Sequence, residues 1–127
     1  MKNEIHISVG VEDAAITGAD HRALQAAVDY VAALGGGTIQ VQSGTYRMED
    51  SLNIRSNINL IGNSEQTIFR KGHGSISPLS TDGDYGEEQV SLIDPTGFEV
   101  GSGISVRDDA SGGFHTTTAT IIAQLDK

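Results

Sequence analysis

Asp82-Gly83-Asp84-Tyr85-Gly86-Glu87-Glu88 sets four carboxylates within seven residues, spaced by glycines that let the chain curl. Such a cluster offers the hard oxygen ligands that Ca2+ gathers, roughly six to eight at a time. On this reading Asp82, Asp84, Glu87 and Glu88 are the metal ligands. Measured against an EF-hand loop, the third Asx is missing and Ile93 stands where the bidentate Glu belongs. A solvated acidic loop therefore accounts for the same residues with fewer assumptions. A second group, Arg107-Asp108-Asp109 with His115, has the composition of a base beside a metal-binding or substrate-binding pair. The plainer account is that Asp-Asp in a Gly-Ser stretch makes a turn, with Arg107 paired to a neighbouring carboxylate. His73 lies between glycines and is expected at the surface, while His6 and His21 have no partner that spacing identifies. Nothing resembles a nucleophile elbow, a phosphate loop or a zinc motif. Gly35-Gly36-Gly37 follows a helical pattern instead of opening one, the wrong order for cradling phosphate.

Composition narrows the partners. The chain has 127 residues and no cysteine, so it has no disulfide framework and no thiolate metal site. A formal charge of −9 works against binding nucleic-acid backbones or anionic lipid surfaces, which would be approached against like charge. The opening Met1-Lys2-Asn3-Glu4-Ile5-His6-Ile7-Ser8 holds no apolar core long enough for a signal peptide, and no segment is apolar enough to span a membrane.

The elements that must position these residues begin with a helix over 20–34. Leu24, Ala27, Val28, Val31 and Leu34 recur at three- and four-residue steps, and His21, Arg22, Gln25 and Asp29 are assigned to the opposite side. Asp20 supplies the N-terminal cap and the glycines the left-handed stop. Short alternating strands follow: Thr38-Ile39-Gln40-Val41-Gln42, Leu52-Asn53-Ile54 and Ile58-Asn59-Leu60-Ile61, with turns at Ser43-Gly44, Ser56-Asn57 and Gly62-Asn63. Ile39-x-Val41 before Gly44 reappears as Ile58-x-Leu60 before Gly62, nineteen positions on, which is close to one coil of a stacked β-helix. Two ordinary strands followed by turns would give the same pair.

Ala23-Leu24-Gln25-Ala26-Ala27-Val28-Asp29-Tyr30, Gly35-Gly36-Gly37-Thr38-Ile39, Ser43-Gly44-Thr45-Tyr46 and Asn59-Leu60-Ile61-Gly62 together resemble the N-terminal signature of the pectate-lyase-like superfamily. Gln42 departs from it, standing where proline often precedes the turn. The match covers about a third of the chain and bears on fold more than on chemistry. It implies a mostly β chain, the start of a right-handed parallel β-helix whose first coils (38–71) are closed by the helix. The long Gly- and Ser-rich segment 72–89 is expected as a loop, and 90–127 as further coils or a small antiparallel unit, all within one domain.

The resemblance also implies action on polysaccharide, by β-elimination of a uronate, with Ca2+ acidifying the proton, or by glycoside hydrolysis. It places the catalytic residues on middle coils, beyond Lys127, so this chain is expected to be inert by itself. An uncapped end is expected to self-associate, and an extracellular setting would fit the family. The opposing class is a non-enzymatic, structural or glycan-binding β-helix of the tail-fibre or adhesin kind.

Overall fold

The computed structural model describes residues 5–81, 88–108 and 116–125. Strands dominate, in small parallel and antiparallel sheets, with one α-helix. Among the described residues the elements are β1 (Ile5–Gly10), β2 (Ile16–Thr17), α1 (His21–Ala33), β3 (Gly37–Val41), β4 (Gly44–Met48), β5 (Ile58–Ile61), β6 (Thr67–Lys71), β7 (Gly103–Arg107) and β8 (Thr116–Thr120), with a 3-10 turn at Ser64–Gln66.

Helix α1 forms where its caps and period dictate. The Asp20 carboxylate accepts from the Arg22 and Ala23 amides at 3.0 and 3.2 Å, satisfying two donors that the first turn leaves without partners. At the other end the Gly35 and Gly36 amides donate back to Ala32 and Val31, with φ of 100° and 113° that a side chain would resist. Gly36 is needed for a second reason: a Cβ there would lie 2.6 Å from the Asn57 carbonyl oxygen.

One sheet has the order β2-β1-β3-β5, all parallel. Its register sorts side chains by face. Ile7, Ile39 and Leu60 form one inward row, with Val9 and Val41 beside it, and His6-Thr38-Asn59 and Ser8-Gln40-Ile61 form the outward rows. The inward rows meet the helix stripe of Leu24, Ala27, Val28 and Val31; that stripe with Val9, Ile39, Val41 and Tyr46 makes the fully buried core, and Ile7 and Leu60 pack against it half-buried. Burying each large aliphatic side chain contributes about 1.5–3 kcal/mol before chain entropy is subtracted. The second sheet pairs β4 with β6, also parallel. Inward-facing Tyr46 meets Phe69 edge-on, with ring centroids 5.8 Å apart.

Tyr46 donates its hydroxyl to the Gln42 carbonyl at 2.8 Å, and burial pushes its pKa up from the ordinary phenol value. The folded state thus favours the neutral ring. Its contribution is complete below the unfolded pKa of about 10 and is lost as pH rises through the higher folded value. Urea unfolding between pH 8 and 11.5 should show stability falling at the alkaline end. Tyr46→Phe should cost about 1 kcal/mol near neutrality and flatten that fall; an equally steep fall in the variant would count against this account.

Three expectations need correction. The repeat is not nineteen residues: Gln40 pairs with Ile61, 21 positions on, and the second sheet advances by 23. Similar motifs need not stack on each other, because turn lengths set the register. Leu52-Asn53-Ile54 pairs with no strand. Instead the Gln25 side chain accepts from the Asn53 amide at 2.8 Å and donates to its carbonyl at 3.1 Å, doing locally what a neighbouring strand would do. Among the described residues, then, the two parallel sheets are not closed into a complete coil. Further coils are not continued at 90–93 either, where the bridge between Leu79 and Leu92 is the β contact among the described residues. The antiparallel unit of the C-terminal half is β7 paired with β8.

Candidate functional site

The residues expected from sequence to do chemistry are not brought together among the described residues. Asp82, Asp84, Glu87, Asp109 and His115 lie outside them, and Glu88 is exposed. Arg107 ends β7, opposite Thr116, and is exposed with Asp108 beside it. Among the described residues no three His, Asp or Glu side chains converge on a point where a cation would sit.

A polar junction does form around His21. This residue was assigned to the outer side of the helix, yet it is buried, with 6% of its surface exposed. Its Nδ1 accepts from the Glu49 amide at 3.3 Å and its Nε2 lies 2.7 Å from the Gly101 carbonyl oxygen. These contacts fix the neutral tautomer with the proton on Nε2, since Nδ1 must present a lone pair. The Gly103 amide donates to the Glu49 carbonyl at 2.6 Å, and Thr120 donates its hydroxyl to Asp50. The imidazole thus joins the start of α1, the segment after β4 and the antiparallel hairpin. Around it Arg22 pairs with Asp20 at 3.3 Å and Arg47 with Glu49. Every polar atom of the imidazole is occupied by backbone, so the junction holds structure and offers no free base.

The open polar surface lies elsewhere. Val11 and Glu12 from the loop after β1, Gln40 on β3, Gln42 and Ser43 in the β3–β4 turn, and Asn63 in the β5–β6 turn line a groove of about 530 Å³. The two turns stack and are tied together. Asn63 Nδ2 donates to Ser43 Oγ at 2.6 Å and to Gln66 Oε1 at 3.3 Å, and the Ser43 hydroxyl donates to the same Gln66 oxygen at 3.1 Å. Gln40 donates to the Ile61 carbonyl and Gln42 to the Asp13 carbonyl. Sequence reading marked Gln40, Gln42, Ser43 and Asn63 only as strand and turn and made nothing of Val11 and Glu12. Glutamines at alternate positions, ahead of a turn whose counterpart carries Asn63, were the available signal.

No family model matches the chain, and comparisons with curated proteins and with solved structures found no match either.

Proposed function

We propose that the chain is the helix-capped start of a right-handed parallel β-helix of the pectate-lyase-like kind, in a protein that acts on polysaccharide. Its own part in that activity is scaffold and glycan contact, with no catalysis. The observation carrying this reading is the order of the pairings: the chain passes from one parallel sheet to the other at β3–β4, does so again at β5–β6, and each later strand lies beside its counterpart one pass earlier. Helix α1 supports it by covering the inward rows of β1 and β3. The amide-lined groove supports the glycan-binding version for this chain, because side-chain amides are hydrogen-bonding partners for sugar hydroxyls.

Two assays test the proposal. Incubation with pectate and alginate is expected to give no unsaturated product, and clear turnover would remove the scaffold role. Electrophoresis through gels containing dissolved polysaccharides is expected to retard the chain in at least one; free migration in all of them would remove the polysaccharide reading.

A further inference from the structure

We infer that the groove between the β3–β4 and β5–β6 turns is a binding site for a neutral, hydroxyl-rich saccharide and rejects polyuronates. The inference rests on the polysaccharide reading and narrows it. Its basis is where each amide spends its hydrogens. The side-chain nitrogens of Gln40, Gln42 and Asn63 all donate inward, to the carbonyls of Ile61 and Asp13 and to Ser43 and Gln66. Gln42 Oε1 is turned toward Gly10, where an added Cβ would lie 2.4 Å from it. The oxygens of Gln40 and Asn63 accept no hydrogen bond from the described residues, and neither does the Glu12 carboxylate. Asn63 Nδ2 thereby spends both of its hydrogens, while Gln40 and Gln42 each keep one N–H. Amide oxygens beside remaining N–H groups suit a ligand that both donates and accepts, as sugar hydroxyls do.

Charge sets the selectivity. Glu12 is the only ionised group in the lining, which holds no Lys or Arg, and the whole chain carries −9. A uronate carboxylate would have to approach the Glu12 carboxylate on a chain of like charge, which costs free energy. A glucose unit meets no such penalty. Val11, 47% exposed, gives the C–H face of a ring an apolar contact. Because each amide is already held by an inward bond, less side-chain freedom is lost on binding.

Nitrogen-15 spectra of the chain, recorded during titration with cellohexaose, maltohexaose and trigalacturonate, test this. A glucose hexamer is expected to shift the side-chain amide signals of Gln40, Gln42 and Asn63, while trigalacturonate leaves them in place. Gln40→Ala and Asn63→Ala should each weaken binding about tenfold, as for one lost hydrogen bond with its positioning. The first variant keeps the Asn63–Ser43–Gln66 ties, so a loss of binding there is not a loss of the turn. Groove shifts with trigalacturonate would overturn the proposal. Shifts with a glucose hexamer confined to other residues would overturn it and leave the polysaccharide reading standing. Silence with all three sugars would also overturn it, and the gel assay then decides whether the broader reading falls too.

Discussion

Val28→Asp is expected to abolish cooperative unfolding near room temperature. Val28 is fully buried in the core that the helix stripe shares with Val9, Ile39 and Val41. The substitution forfeits about 1.5–3 kcal/mol of apolar burial and puts a carboxylate where no donor faces it, at a cost of several kcal/mol more. Domains of this size have about 5–15 kcal/mol in all. The comparison variant is Ala26→Asp, two positions away and exposed, which should melt within a few degrees of the parent by circular dichroism. Gln25→Asp, the choice a helical wheel suggests, is a poorer control, because Gln25 holds both backbone groups of Asn53. Equal melting of the Val28 and Ala26 variants would mean that the helix does not rest on the sheet.

The second large effect is expected at His21. Replacing it by Phe keeps an apolar ring of similar shape but leaves the Glu49 amide and the Gly101 carbonyl without their partners, at about 1–3 kcal/mol for each group that stays buried. The loss should be local. Amide exchange in β7 and β8 should accelerate more than tenfold, that is by more than about 1.4 kcal/mol of local opening, while β1 and β3 keep their protection. Unchanged protection of the hairpin would show that the remaining ties, Gly103 to Glu49 and Thr120 to Asp50, hold it unaided.

The helix and β3 were legible because each is written twice, once in apolar period and once in end signals: Asp20 and the glycines for α1, Gly37 and the Ser43-Gly44 turn for β3. Ile5-His6-Ile7-Ser8-Val9 alternates as cleanly as β3 does, yet the sequence reading weighed that opening only for targeting, and β1 went unmarked. His21 was misplaced for a different reason. It stands three before Leu24 and seven before Val28, on the apolar stripe itself, but a polar residue type outweighed its position. What buries it is the hairpin of the C-terminal half, a contact 80 positions away that no local pattern announces. The groove was hidden in the same way, since Glu12, Gln42 and Asn63 become neighbours only when loop and turns stack.

The two ends of the parallel stack are unlike. On one side β2 and α1 complete it; on the other, β5 and β6 each have a single strand partner among the described residues, and Ile61, Ile68 and Phe69 are partly exposed there. That side is an open edge, and β2 and β4 are edge strands with one partner each among the described residues as well. A strand laid along β5 or β6 would take up the free backbone groups there and cover those apolar side chains.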